Sequence, residues 1–185
     1  MTSARILRLP IPVLVLLACV GCEAMGVRTA GYQPTINPAK FQASVDNPYY
    51  PLVPGTTLTY VETSRFETSE NTITVTHDTK SVMGVECTVV HDVVTKNGRV
   101  AEDTYDWLAQ DADGTVWYFG EDSTEISPGG QVSKLGSWEA GIDGGQPGIL
   151  MPAHPAPGEP YRQEYRADVA EDMGQVVALG ESVTV

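Results

Sequence analysis

The chain has 185 residues, with 24 acidic and 11 basic side chains and a formal net charge of −13. This length suits one domain with a sizeable hydrophobic core. Its lysines and arginines are scattered singly, whereas binding of nucleic acid or of anionic lipid headgroups requires clustered positive charge. The composition therefore argues against nucleic acid as a partner.

The first 18 residues have the features of a secretory signal peptide. Arg5 and Arg8 precede an apolar run over residues 9–18, which is shorter than the roughly 20 residues of a membrane-spanning helix. The run closes on Leu16-Leu17-Ala18-Cys19, which resembles the lipobox of bacterial lipoproteins. The resemblance implies cleavage before Cys19 and a diacylglycerol on its thiol. Cys22 stays open as the alternative, because a small residue also precedes it.

The expected location is a bacterial membrane surface, periplasmic or outer, with the N-terminal lipid as anchor. Residues 19–46 are polar, contain Pro34 and Pro38 and show no helical or strand period, which predicts a tether. A single β-rich domain is expected over residues 47–185. Within it, Cys87 lies on a predicted strand and is expected to be a small buried hydrophobe rather than a disulfide partner.

From residue 47 onward, apolar and polar side chains alternate with the period of two that marks β-strands. Tyr105 and Trp107, for example, share one predicted strand face, and Asp106 lies on the other. Glycine-containing turn signals separate the strands, at residues 83–84, 97–98, 113–114 and 128–130. The pattern predicts a mainly β fold, an antiparallel meander forming a half-barrel or curved sheet. The best helical candidate covers residues 167–175.

Residues 136–160 are rich in glycine and proline, and so long an irregular stretch is typical of a functional or a disordered segment. Trp138 and the apolar residues 149–151 need burial. We therefore expect an ordered loop that crosses the strand face built from Tyr105 and Trp107. His154 in this loop is the first candidate for a ligand-facing side chain. The other candidates are Asp143, Gln146, Trp107 and Trp138.

The sequence stops at residues 181–185, in the opening of a strand pattern. Because a strand needs a partner for its backbone groups, this predicts that the β-rich domain is C-terminally incomplete.

Three blocks of sequence resemble a family of exported bacterial proteins of uncharacterised activity. They are NPYYPLVPGTTLTY at 47–60, DTYDWLAQDADGTVWYFGED at 103–122 and SWEAGIDGGQPGILMPAHPAPGEPYRQEY at 137–165. AEDMGQV at 170–176 extends the match. Members of that family look longer at the C-terminus. More loosely, a tether followed by a β meander looks like the half-barrel lipoproteins of the bacterial envelope, which implies a sheet that carries lipids or lipoproteins. Neither resemblance implies a catalytic residue.

No motif in the sequence indicates catalysis. Asp111 and Asp113 fit a hairpin turn better than a calcium loop, because valine and aromatic residues follow where a calcium loop needs oxygen ligands. The three histidines lack the spacing of a metal site. The acidic pairs at 102–103, 121–122 and 171–172 are expected to be solvated charge at strand ends. Neither a metal nor a cofactor is expected.

Three functions are compatible with these patterns. The first is a non-enzymatic, lipid-anchored envelope protein that binds an apolar or amphipathic ligand or a protein partner. The second is an enzyme acting on envelope glycans with paired carboxylates, which would have to face each other across a groove. The third is a cation-binding surface protein, for which the signals are the net negative charge and the three acidic pairs, which could line a cation site.

Overall fold

The computed structural model describes residues 31–42, 44–158 and 160–182. The predicted signal peptide, both candidate lipidation sites, Cys19 and Cys22, and the last three residues lie outside this range. The described part contains no helix long and apolar enough to cross a membrane. Its one helical element is a 3₁₀ turn at Pro38–Lys40, capped by the Asn37 side chain, which accepts a hydrogen bond from the Ala39 N–H.

The chain folds into an open antiparallel sheet of nine strands, with a separate two-stranded sheet formed by the last two. The strands in chain order are β1 (Phe41–Gln42), β2 (Thr57–Thr63), β3 (Thr68–Val82), β4 (Val85–Lys96), β5 (Arg99–Asp111), β6 (Val116–Ile126), β7 (Val132–Ser133), β8 (Trp138–Glu139), β9 (Gly148–Met151), β10 (Tyr161–Arg162) and β11 (Met173–Gly174). Strands β2 to β6 follow one another as a meander, β1 pairs with β5, and β7, β8 and β9 all pair with β6. The predicted mainly β, antiparallel meander is confirmed, and the sheet is not closed into a barrel.

Two tight hairpins set the register of the central strands. Met83-Gly84 joins β3 to β4 and Asn97-Gly98 joins β4 to β5, and all four residues have positive φ. Turns of this kind need two consecutive residues with positive φ, which asparagine and glycine tolerate best. The pairs that close the two turns are Val82 with Val85 and Lys96 with Arg99.

The core lies where the meander is covered at its β5–β6 end. Phe119, Leu108 and Val116 are almost fully buried there, and Cys87 is completely buried. Burial raises the pKa of the Cys87 thiol to about 12, so the group stays neutral. Among the described residues it is a free thiol, as expected for a small buried hydrophobe.

The tether predicted for residues 19–46 is wrong for the part that the structure describes. Phe41 on β1 packs edge-on against Phe119 with ring centroids 5.5 Å apart, and Val45 is 3% exposed. The Tyr32 hydroxyl donates to the Pro147 carbonyl at 2.9 Å. Apolar side chains spaced irregularly between prolines gave no period, yet they cover the end of the sheet.

Two further predictions need correction. Residues 167–175 form no helix, because a bridge between Arg166 and Ala170 and the strand β11 occupy that stretch. The loop at 136–160 is ordered, but it runs along β6 as β8 and β9 instead of crossing the Tyr105–Trp107 face. Tyr105 remains 43% exposed and stacks on His91. The unpaired outer edge of β6 supplied backbone partners that a loop over the sheet face would lack.

Candidate carboxyl site on the sheet

Strand alternation gathers acidic side chains on one face of the sheet. Asp106 on β5 pairs directly with Glu121 on β6, and Asp92 on β4 pairs with Thr104, two residues from Asp106. Directly paired residues of antiparallel strands project from the same face, and so do residues two apart on one strand. These three carboxyls therefore share a face, opposite the one that carries Tyr105.

A bulge in β6 adds a tyrosine to this group. The register passes from the pair Asp106–Glu121 to the pair Leu108–Tyr118. Between these two pairs β6 advances by three residues and β5 by two, so β6 contains one extra residue. Without the bulge, Tyr118 and Glu121 would project from opposite faces, since they are three residues apart. Gly120 makes the bulge with φ at +131°. A Cβ on it would lie 2.3 Å from the Trp138 carbonyl oxygen, so only glycine fits between β6 and β8.

The Tyr118 hydroxyl lies between two carboxyls. It is 2.5 Å from Asp106 Oδ1 and 2.9 Å from Glu121 Oε2. Burial raises the pKa of Asp106 to about 8 and that of Glu121 to about 7, although the Tyr118 hydrogen bond lowers both. Asp106 keeps some solvent contact while protein atoms surround it closely. The pKa of the buried Tyr118 is itself raised well above its usual value by desolvation and by the two acids.

Glu164 and Trp138 close one end of this group. Burial, and then the neighbouring Glu121, raise the pKa of Glu164 to about 8. Trp138 on β8 is 3% exposed and packs edge-on against Tyr118 at 5.5 Å. Its indole N–H faces Glu164 closely enough to lower the pKa of that carboxyl, but no acceptor among the described residues completes a hydrogen bond with it. Glu164 is therefore the acceptor closest to this buried donor, and their contact is a long one.

At the other end of this group, a buried acceptor has no hydrogen-bond partner among the described residues. The Asn71 Nδ2 donates to Asp92 Oδ1 at 3.0 Å, while the buried Asn71 Oδ1 has no partner among the described residues. Burial, and then Glu102, raise the pKa of Asp92 to about 6. Tyr50 lies near both Asp92 and Asp106, and burial followed by these two charges raises its pKa. We refer to Asn71, Asp92, Asp106, Tyr118, Glu121, Trp138 and Glu164 as the carboxyl face.

No described lysine or arginine forms an ion pair with the carboxyl face, and the nearest basic group acting on it is His91, which lowers the pKa of Asp92. The ion pairs in the described residues lie elsewhere: Lys80–Glu139, His91–Asp103, Lys134–Asp122 and Arg166–Asp143. No lysine or arginine is among the groups that shift the pKa values of Asp106, Glu121 or Glu164. The described part also holds no cluster of three or more His, Cys, Asp or Glu side chains arranged to bind a metal ion.

The five side chains predicted to face a ligand do not form one site. His154 borders a shallow depression of about 510 Å³ with Asn47 and Gln110. Asp143 and Gln146 border another, of about 320 Å³. Trp107 is buried on the opposite sheet face, with the Lys80 ammonium 3.3 Å from its ring centre. Trp138 alone adjoins the carboxyl face.

Sequence reasoning missed Asp106 and Glu164, and placed Glu121 among solvated strand-end acids. The one available signal was that Asp106 lies in mid-strand, on the face opposite Tyr105 and Trp107. Its pairing with Glu121 depends on the bulge at Gly120, and its contact with Tyr118 does too. Asp111, in contrast, does form the expected turn: its Oδ1 accepts from the Asp113 and Thr115 N–H groups, and its Oδ2 from Trp117 Nε1.

Comparisons with protein-family models, with curated proteins and with solved structures find no match for this chain.

Proposed function

We propose that this chain is a lipid-anchored, non-enzymatic envelope protein whose carboxyl face binds a basic segment of a partner protein. The observation that carries the proposal is a set of half-buried carboxyls with which no described lysine or arginine forms an ion pair. Placing like charges together on a partly buried face is unfavourable, and a bound cation relieves that cost. The partly exposed ring of Tyr50, which lies near Asp92 and Asp106, adds a face on which a cation or its alkyl stem can pack.

The extent of the carboxyl face suits a chain segment rather than a small ion. Asn71 on β3 and Trp138 on β8 carry the two orphan polar atoms, with β4, β5 and β6 between them. Four strand spacings amount to roughly 19 Å along the sheet. An extended segment of about six residues covers that distance, at about 3.3 Å per residue.

Two alternatives receive less support. An apolar ligand needs an apolar cavity, while the two depressions described above are open and lined in part by polar residues such as Gln110 and Gln146. Glycan hydrolysis with retention needs two carboxyls about 5–5.5 Å apart across the sugar. Asp106 and Glu121 come that close, but the Tyr118 hydroxyl occupies the space between them.

Binding is tested by isothermal titration of the purified chain with a ten-residue peptide of alternating lysine and serine. We expect binding that weakens steeply with added salt, since the contact is ionic. Asp106→Asn combined with Glu121→Gln should weaken binding at least about tenfold, which corresponds to roughly 1.4 kcal/mol, the size of one charge-assisted contact.

The matched control is Asp122→Asn. Asp122 adjoins Glu121 in sequence but faces the other side of the sheet, where it pairs with Lys134 at 2.6 Å. Asp122→Asn removes one carboxylate, against two in the double variant, and does not touch the carboxyl face. Equal losses in the control and in the double variant would show a non-specific charge effect and refute the proposed site, as would equal binding of an alternating glutamate and serine peptide.

A further inference from the structure

The open sheet has a long bare edge at β2. At the other side of the meander β6 pairs with β7, β8 and β9, whereas β2 pairs with β3 alone among the described strands. β2 runs for seven residues, Thr57–Thr63, without a shift in register. Proteins usually protect such an edge with lysine, proline or a bulge, and β2 contains none of these. Tyr60 and Val61 are 50% and 62% exposed, so the edge is open to a further strand.

The hydrogen bonds at the two ends of β2 show which backbone groups face this edge. The Val75 N–H donates to the Thr56 carbonyl at 2.9 Å, and the Ser64 N–H donates to the Glu67 carbonyl at 2.8 Å. Thr56 and Ser64 therefore direct their backbone groups across the β2–β3 hairpin. Because this direction alternates along an antiparallel strand, every second residue between them points the other way. The N–H and C=O groups on the bare edge belong to Thr57, Thr59, Val61 and Thr63.

β2 is complementary to a second copy of itself. With a two-fold axis at Tyr60, the four edge-facing residues form hydrogen-bonded pairs with those of the second copy, and all four are threonine or valine, which favour strands. The two Tyr60 rings meet at the axis, where a cross-strand aromatic pair is favourable. Glu62, the one charged residue of the strand, lies opposite Leu58, so no like charges face each other. A foreign strand would need matched side chains that β2 already has.

We propose that two copies of this chain pair antiparallel through β2, with the two-fold axis at Tyr60, so that their sheets become one continuous sheet. The edge-facing residues then form about eight hydrogen bonds between the two backbones, close to the roughly ten of a standard protein interface. Seven residues a side are fewer than the roughly 20–30 of such an interface, so the dimer is reversible. The axis stands perpendicular to the sheet, and both carboxyl faces therefore lie on the same side of the joined sheet.

The test is amide hydrogen exchange of the purified full chain at low and at high concentration, measured by NMR. The amides of the four edge-facing residues should exchange at least about threefold more slowly when the concentration rises about a hundredfold through the Kd. The amides of Leu58, Tyr60 and Glu62 already donate to β3 and should change much less. Sedimentation over the same range should show a monomer–dimer equilibrium. Because each copy carries a net charge of −13, added salt should strengthen the dimer, whereas it weakens binding of the lysine–serine peptide. A chain that stays monomeric, or protection without the alternating pattern, would overturn the proposal.

Val61→Pro separates backbone pairing from other contacts. Proline removes an edge-facing N–H that makes no bond to β3, so the hairpin should persist while the dimer Kd rises at least about tenfold. Val61→Thr keeps the N–H and the branched side chain and is the matched control, which should dimerise like the wild type. A dimer that survives Val61→Pro would contradict the edge contact, as would equal weakening by both substitutions.

Cross-linking tests the register without a proline. The two copies of Tyr60 form a non-hydrogen-bonded pair with Cα atoms about 4.5 Å apart, which suits a disulfide, so Tyr60→Cys should cross-link under a thiol oxidant. Glu62→Cys lies on the same edge and face but opposite Leu58, and should cross-link at least about tenfold more slowly. Equal rates would overturn the pairing. Protection of the edge amides by the lysine–serine peptide, without self-association, would assign β2 to a foreign strand and also overturn the dimer, while the carboxyl face is judged separately by its own variants.

Discussion

Asp106 is held in an environment that disfavours its charge. Protein atoms surround it, Glu121 lies across the strand pair and the only direct stabilising contact among the described residues is the Tyr118 hydroxyl. Desolvation outweighs that hydrogen bond, so the pKa of the carboxyl rises to about 8. A side chain selected only for stability at this position would be neutral. The acid at this position therefore lowers the stability of the folded protein, and a function can explain that cost.

Asp106→Asn should make the protein more stable at alkaline pH. The pKa of Asp106 is about 8 in the folded protein against an ordinary value of 3.8, so between these values the folded state binds more protons than the unfolded state. The free energy of unfolding contributed by this group is therefore highest in acid and falls as the pH rises towards 8. Asparagine mimics the protonated acid, because its N–H donates to the Tyr118 oxygen. We expect a gain of at least about 1.4 kcal/mol at pH 8, the equivalent of one pKa unit, and little change at pH 4.

Urea unfolding at pH values from 4 to 9 measures this effect. Glu121 and Glu164 still titrate in the variant, so its pH dependence should be reduced rather than abolished. Asp122→Asn, on the opposite face, should leave the wild-type profile unchanged. A variant that is less stable than the wild type at pH 8 would show that the Asp106 carboxylate stabilises the fold, and the prediction would be wrong.

At the scale of elements, the bulge in β6 decides where the site forms. It turns Tyr118 and Glu121 to the same face and brings β8 against β6 through Gly120. Gly120→Ala would place a Cβ 2.3 Å from the Trp138 carbonyl oxygen and 2.9 Å from Glu139 Cα, at a φ of +131°. Because both neighbours are backbone, β8 must move. We expect a loss of more than about 2 kcal/mol of stability and a red shift of tryptophan emission as Trp138 becomes hydrated.

Gly130→Ala is the matched control for this prediction. Gly130 has a φ of +79°, and nothing lies within 4 Å of an added Cβ. The variant therefore carries backbone strain alone, of about 1 kcal/mol, and should keep the tryptophan spectrum. Equal losses of stability in the two variants, with unchanged emission in both, would mean that the Gly120 contact does not hold β8 in place.

The same elements show which parts of the fold could be predicted from the sequence. Alternation over residues 85–109 and the Asn97-Gly98 turn were sufficient to predict the meander, because period and turn chemistry are local properties. The bulge was not predictable, since it depends on the approach of β8 to Gly120, eighteen residues earlier in the chain. The docking of residues 31–46 was hidden for a related reason. Phe41 and Val45 are isolated apolar residues in the sequence. Phe41 packs on Trp117 and Phe119, more than 70 residues away, and Val45 forms a bridge with Leu52 and joins the buried core.

At the scale of the whole molecule, charge is divided between the two faces of the sheet. The face that carries Tyr105 also carries paired charges, His91 with Asp103 at 2.9 Å and Lys134 with Asp122 at 2.6 Å. On the carboxyl face, the described acids have no such partners. The net charge of −13 is thus unevenly distributed between the two faces of the sheet. An uneven charge steers a basic partner towards one side of the sheet, which raises the rate of association at low salt.

The remaining prediction concerns the anchor, which sets where such a partner must be. If the mature chain begins at Cys19, only residues 19–30 separate the lipid from the first described residue, and twelve residues reach at most about 40 Å. The domain then works close to the membrane, because the following residues 31–46 are docked on it rather than adding to the reach. Each buried acyl CH₂ contributes about 0.8 kcal/mol of membrane affinity, so a diacylated chain should fractionate with membranes.

Cys19→Ser should release the protein or block its processing, and mass spectrometry should locate the diacylglycerol on Cys19. The matched substitution Cys22→Ser should leave the protein membrane-bound. Lipidation that survives Cys19→Ser and is lost in Cys22→Ser would move the anchor to Cys22 and shorten the reach by three residues, whereas loss in neither variant would remove the anchor from the proposal.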